Sequence, residues 1–419
     1  MKTFGAFILG LIVSILLLEC LSQVYYLLQH KTFYDAHRVL GALGASEKTP
    51  DSQNKLPQLY KDQREIIHPY CGYVRDYNAE FQKNYGYDTD KFPLQHRSPD
   101  KLIVGLFGGS VAMHLHHTLE RALAKALANT GDARQLVFVN FALGGYKQPQ
   151  QLNTLNYFLA LGGEFDLVIN LDGFNEVALP AADNLPLGVS PFYPRLWNER
   201  VSDTMDPQRL RAYAAVAALQ ARLESIVDGL RLPLLSHSAT WGLVSSWRAK
   251  QAQERIRALL AKLSTQKTLP YVQSGPPFSA GKPEAVMAEL AAFWARCSRL
   301  MQAACQASGC VYLHVLQPNQ YVPDSKVMSR EELDTAFAPE TPYAVAARQG
   351  YPALLAQGQK LVATGVPFVD ATQLFKDHAG PVYLDACCHL NDTGNDLLAA
   401  FITQKALAGL HVPAAVSAK

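Results

Sequence analysis

Apolar and polar positions fall into three regimes along the chain. Phe4 to Leu18 is an unbroken apolar run, and apolar character resumes at Leu21 and at Val24 to Leu28 after Glu19 and Cys20. From about residue 31 to 100 the sequence is rich in polar, Pro and Tyr positions and holds no sustained period, apart from the short motif His68-Pro69-Tyr70-Cys71-Gly72-Tyr73. From Lys101 onward, short apolar runs alternate with segments of helical period: Leu102 to Phe107, Leu136 to Asn140, Leu167 to Leu171, Val311 to Leu316 and Val366 to Asp370. Short continuous apolar runs separated by helices predict strands buried on both faces, hence a parallel α/β sheet with helices on either side. Five such strands suit a flavodoxin-like fold, in which ligands gather at the carboxyl ends of the strands.

The stretch between the third and fourth strands far exceeds the ~10–12 residues a crossover needs. It predicts amphipathic helices over Pro207 to Leu230 and Val244 to Leu263, a Pro/Gly-rich break from Leu269 to Pro283, and another helix to about Ser308. Such an elaboration, about 180–309, either caps the site or thickens one face of the domain. The expected organisation is a segment 1–28 that anchors the chain or is a signal peptide, a stalk and packed extension over 29–100, and a catalytic domain over 101–412.

Length leaves room for a sizeable core, and an apolar share of 49% with 18% charged residues is that of a globular protein. Lys and Arg number 38 against 36 Asp and Glu, with no basic stripe to track a phosphate backbone, so nucleic acid is excluded as a partner. The N-terminal run lacks an A-x-A cleavage site, and Glu19 before Cys20 fits a lipoprotein site poorly, which favours an uncleaved transmembrane anchor. About 20 residues span a bilayer, which Phe4 to roughly Val24 supplies with Glu19 near the headgroups. Either fate of the segment puts the rest of the chain outside the cytoplasm. There, disulfides are open to Cys71, Cys297, Cys305, Cys310, Cys387 and Cys388, and the adjacent last two either pair elsewhere, bridge each other, or stay buried thiols.

The candidate chemistry lies just after the strands. The first ends in Gly108-Gly109-Ser110 before a helical segment, which exposes a hydroxyl at a helix N-terminus, where N–H groups favour developing negative charge; a plain capping serine has the same look. The second is followed by Gly144-Gly145-Tyr146, and the third by Gly173-Phe174-Asn175-Glu176. A Gly N–H and an Asn amide are the donors a tetrahedral oxyanion needs. Near the C-terminus, His389 can serve as general base with a carboxylate to orient it.

These four segments resemble the SGNH hydrolase family of GDSL-type serine esterases. Ser110, Gly145, Asn175 and His389 match its four named residues in order, over roughly 101–178 and 311–405. The resemblance implies a three-layer α/β fold, Ser110 as nucleophile, His389 as base, an oxyanion hole of Ser110, Gly145 and Asn175, and no cofactor. The name-giving Gly-Asp-Ser-Leu reads Gly108-Gly109-Ser110-Val111 here, which removes no catalytic atom. The family's acid stands three residues before its histidine, whereas Asp385 stands four before His389, so Asp370, Asp392 and a backbone carbonyl stay open as alternatives.

Gln317, in Gln317-Pro318-Asn319-Gln320-Tyr321 after the fourth strand, and Tyr146 are expected to line the substrate pocket; a turn and core packing are the competing accounts. Phe174 and Phe192 carry the same two readings. His114, His116 and His117 follow the nucleophile with no carboxylate or cysteine evident to complete a metal site. The expected activity is hydrolysis of O-acyl, chiefly acetyl, esters on a small molecule or cell-surface glycan by an enzyme held on the membrane through its N-terminal helix. Transfer of the acyl group to a sugar hydroxyl and noncatalytic carbohydrate binding or assembly are the alternatives.

Overall fold

The five apolar runs form one parallel sheet. In the computed structural model, which describes residues 2–36, 39–40, 65–201, 207–233, 235–264, 269–279 and 281–410, its strands are β3 (Lys101–Gly108), β4 (Gln135–Asn140), β5 (Leu167–Asp172), β6 (Val311–Leu316) and β7 (Phe368–Asp370). Their spatial order is β4-β3-β5-β6-β7, the flavodoxin-like order, which reverses between β3 and β5 and opens a crevice at their carboxyl ends. A short antiparallel hairpin precedes the sheet: β1 (Glu65–His68) and β2 (Gly72–Arg75), with Glu65 paired to Arg75 and His68 to Gly72.

Every residue of β5 is buried, as a strand covered on both faces requires. The helix Ser110–Thr130 buries Val111, Leu115, Leu119, Leu123 and Leu127 at helical spacing and packs on the C-terminal helix Asp392–Gly409. Pro283–Ala307 and Pro342–Ala363 pair in the same way and complete the three layers. Parallel strands joined by helices deliver the chain to the same sheet edge after each crossing, and this gathers distant residues into one site.

Residues 59–201 and 269–419 form one compact unit, and 1–58 with 202–268 form another. The two helices expected in the insertion therefore belong with the N-terminal helix, whereas Pro283–Ala307 belongs with the sheet. They run Pro207–Arg231 and Ala239–Ser264, the second starting five positions before its expected start at Val244. Within this second unit Tyr26, Val39, Ile226, Leu230 and Ala249 make a small core. The N-terminal helix Lys2–His30 carries Glu19, whose carboxylate accepts from the Ser238 hydroxyl (2.8 Å) and from the N–H groups of Ala239 (2.5 Å) and Thr240 (3.2 Å). An acid inside an apolar helix thus caps the N-terminus of another. Phe7–His30 is long and apolar enough to cross a membrane, with a mean hydropathy of 2.3. Of the stalk and packed extension expected over 29–100, residues 37–38 and 41–64 lie outside the described residues, as do 411–419 beyond the C-terminal helix.

Candidate active site

Ser110 is the first residue of its helix, preceded by the cap residue Gly109. A first-turn N–H has no intrahelical acceptor and points out of the helix end. Gly109 is required by close approach, since a side chain there would collide with the Asn175 amide nitrogen. The space a side chain at position 109 would need is taken by Asn175.

The Ser110 hydroxyl lies 2.8 Å from His389 Nε2, and His389 Nδ1 lies 2.5 Å from Asp385 Oδ2. Ser110, His389 and Asp385 therefore form a continuous hydrogen-bonded chain. Neither alternative acid is joined to the ring: Asp370 accepts from the N–H of Thr372 (2.8 Å), and Asp392 lies in the first turn of the C-terminal helix. The extra residue between Asp385 and His389 is absorbed by a tight turn. Asp385 Oδ1 accepts from the N–H groups of Cys387 (3.0 Å), Cys388 (3.2 Å) and His389 (3.3 Å), leaving Oδ2 for the imidazole. One carboxylate both shapes the loop and orients the ring. Burial pushes its pKa up, but the hydrogen bond and charge of His389 and the backbone donors outweigh this and bring it down to about 2. The hydrogen bond to Asp385 in turn raises His389 above its ordinary value, against the opposing effect of burial.

The same loop is braced from the chain after β6. Gln320 Nε2 donates to Asp385 O (2.9 Å), the Tyr321 hydroxyl to Ala386 O (2.6 Å) and Asn319 Nδ2 to Cys387 O (3.4 Å). The motif Gln317 to Tyr321 is a buckle for the His389 loop. Gln317 itself is buried at 3% exposure, with its backbone N–H on Asp172 O, so it offers no surface to a substrate.

Gly145 and Asn175 arrive from the turns after β4 and β5. Gly145 has a φ of 77°, and its N–H has no hydrogen-bond partner among the described residues. A Cβ there would stand 2.9 Å from the Tyr73 hydroxyl, which donates to Gly144 O at 2.8 Å. Asn175 Nδ2 donates to Tyr146 O at 2.7 Å; an amide nitrogen carries two hydrogens, so one is left over. Glu176, whose part the sequence did not reveal, ties the two turns together. Its carboxylate accepts from Gly173 N–H (2.7 Å), Gln148 N–H (3.1 Å) and Gln151 Nε2 (3.1 Å), while burial and the nearby Asp172 push its pKa up.

Tyr146 is not a substrate platform. It has no exposure, and its hydroxyl donates to Tyr73 O (2.5 Å) and lies 3.2 Å from the Tyr87 hydroxyl; its contribution is the carbonyl that holds Asn175. Phe174 is buried, and Phe192 packs on Phe293 with ring centroids 4.2 Å apart. The three histidines divide. His114 is exposed, its ring 5.1 Å from that of His389. His117 meets Glu120, three residues on, and Asp90 from a preceding loop, one donor atom each within 4.8 Å of one another. The carboxylates that the sequence did not reveal are thus supplied, one of them by a loop that only the fold brings near. All seven cysteines are free thiols, with Cys387 and Cys388 Sγ atoms 3.5 Å apart.

A second chain of the same chemistry runs through the interior. Ser298 Oγ lies 2.7 Å from His314 Nδ1, and His314 Nε2 lies 2.8 Å from Asp172 Oδ1, which also accepts from Trp294 Nε1 at 2.7 Å. None of these side chains exceeds 2% exposure. It is a satisfied core network that no substrate reaches, whereas the His389 side chain keeps 21% and that of Asp385 42% of their exposure.

No protein-family model matches the chain, and no curated protein does. Among solved structures it is similar to an acetyl xylan esterase, AlAXEase, at 12% identity and a TM-score of 0.34, over 73% of this chain and 98% of that one. It is also similar to a GDSL-like lipase from Bacteroides thetaiotaomicron VPI-5482, at 11% identity and a TM-score of 0.34, over 74% of this chain and 90% of the other.

Proposed function

We propose that this chain is a serine esterase of the SGNH type, held on a membrane by its N-terminal helix with the catalytic unit outside the cytoplasm, hydrolysing O-acyl esters, acetyl above all, of a glycan or smaller carbohydrate. The observation that carries the reading is the relay from Asp385 through His389 to Ser110, partly open to solvent and flanked by two unspent N–H groups. Ser110 Oγ attacks the ester carbon as its proton passes to His389 Nε2. The carbonyl oxygen, now an oxyanion, takes hydrogen bonds from the Ser110 and Gly145 N–H groups and from the free hydrogen of the Asn175 amide. His389 then gives its proton to the leaving alcohol, and a water repeats the sequence on the acyl-enzyme. Asp385 keeps Nδ1 protonated and steadies the imidazolium.

The reading is tested with the full-length protein in detergent, p-nitrophenyl acetate as substrate, and the variants Ser110→Ala and His389→Ala. Each is expected to lose on the order of 10⁴–10⁶-fold in kcat. Turnover surviving in Ser110→Ala, or a folded wild-type protein with none, would sink it.

A further inference from the structure

Three arginines surround the turn that supplies Gly145, and two of them are neutralised. The aliphatic part of Arg195 lies 3.4 Å from where a Cβ on Gly145 would stand, and its guanidinium pairs with Asp183 at 2.7 Å and reaches the Tyr343 hydroxyl at 3.1 Å. Arg200 stacks on the Tyr73 ring at 3.7 Å and pairs with Glu65 at 2.6 Å.

Arg75, at the end of β2, has no such partner. Its terminal nitrogen lies 3.7 Å from where a Cβ on Gly144 would stand, one residue from the oxyanion donor Gly145. Glu65 stands directly opposite Arg75 in the hairpin, yet its carboxylate goes to Arg200. Among the described residues no carboxylate pairs with Arg75, and its side chain makes no hydrogen bond. Its Nε is enclosed with no acceptor, while its terminal amino groups keep access to solvent. The ring of Tyr77, 5.3 Å from the guanidinium carbon, supports the charge without cancelling it. His114, partly exposed, is lowered in pKa by what burial it has and further by the charges of His389 and Arg75, which puts it within electrostatic reach of both.

A guanidinium with an enclosed, unpaired Nε and a free fork is costly to keep. It is also shaped for a planar anion, which it can hold through parallel hydrogen bonds.

We propose that Arg75 is an anion subsite and that the substrate is an acidic ester, carrying a carboxylate close to the acylated hydroxyl. This rests on the esterase reading for the fate of the ester and on Arg75 alone for its charge. The carboxylate docks on the Arg75 fork, which places the neighbouring O-acyl carbonyl over Ser110. His114, beside it, is free to donate to the same sugar or hydroxy acid.

The test uses two probes that differ only in a carboxylate against a hydroxymethyl group: an acetylated methyl glucuronoside and the corresponding acetylated methyl glucoside. The full-length enzyme is expected to favour the acidic ester in kcat/KM by about 10- to 100-fold, the range of a charge-assisted pair. Arg75→Met is expected to bring the ratio close to one, and Arg75→Lys, which keeps charge without the fork, to leave it in between. Thermal unfolding of each variant checks that the fold persists. Calorimetric binding of both probes to Ser110→Ala reads the subsite without turnover. Equal binding of the two probes, or a preference that survives Arg75→Met, overturns the proposal while hydrolysis of p-nitrophenyl acetate leaves the esterase reading standing. Preferential, Arg75-dependent binding in a protein that hydrolyses no ester would retain the anion subsite and remove the esterase reading instead.

Discussion

His389 can accept the Ser110 proton only when neutral, and Asp385 holds its pKa above the ordinary value near 6.5. The acid limb of kcat/KM against pH is therefore expected above ~6.5, with activity rising as pH rises through it. Asp385→Asn removes the stabilising charge, so the limb is expected to move to lower pH while the plateau falls about 10³- to 10⁴-fold. Gly109→Ala, far milder chemically, is expected to push the Asn175 amide aside and cost about 10²–10³ in kcat; rates on p-nitrophenyl acetate measure both. The geometry brings together the serine and the histidine that the sequence singles out, since a nucleophile at a strand end and a base near the C-terminus leave local marks. The acid was ambiguous because spacing to the histidine depends on the turn between them, and Asp385 makes that turn with its own Oδ1. Tyr146 and Gln317 stand at the right sheet edge but face inward, and burial is not written in a motif.

At the level of elements, the site depends on turns being fastened to one another. Glu176 accepts from both the turn after β5 and the chain after Gly145, so Glu176→Ala leaves several buried donors without an acceptor. A destabilisation on the order of 2–4 kcal/mol is expected in urea unfolding, together with loss of activity as Asn175 and Gly145 drift apart. The strands were legible almost to the residue because burial on both faces imposes a largely apolar run, broken in β5 and β6 by the buried Asn170, Asp172 and His314. The start of the Ala239–Ser264 helix was not: Ser238 caps it locally, its hydroxyl accepting from the Trp241 N–H at 3.1 Å, but the N–H groups of Ala239 and Thr240 are held by Glu19, more than two hundred positions away in sequence. The hairpin carrying Arg75 also escaped, since its four-residue strands are too short to show a period.

At the scale of the molecule, the chain builds its sheet unit in two passes, and residues 202–268, which lie between them, fold with the N-terminus instead. The expected long insertion was visible in the sequence. Its partner was not, because an apolar helix reads the same whether it faces lipid or other helices. Deleting residues 1–30 removes Tyr26 and Glu19 from that second unit and strips its small core. Limited proteolysis of the shortened chain is expected to cut first within 202–268, with hydrolysis of p-nitrophenyl acetate surviving the cut; early cleavage within the sheet unit would contradict this. The bond between Glu19 and the start of the Ala239 helix carries a geometric consequence of its own. At about 1.5 Å per residue, Lys2 to Leu18 is roughly 25 Å long, close to the ~30 Å thickness of a hydrocarbon layer. Where the proposed anchor holds, Glu19 acts as a draught mark on a hull, because its bonds to Ser238, Ala239 and Thr240 tie that point of the helix to a polar helix end and so limit how deep it can ride.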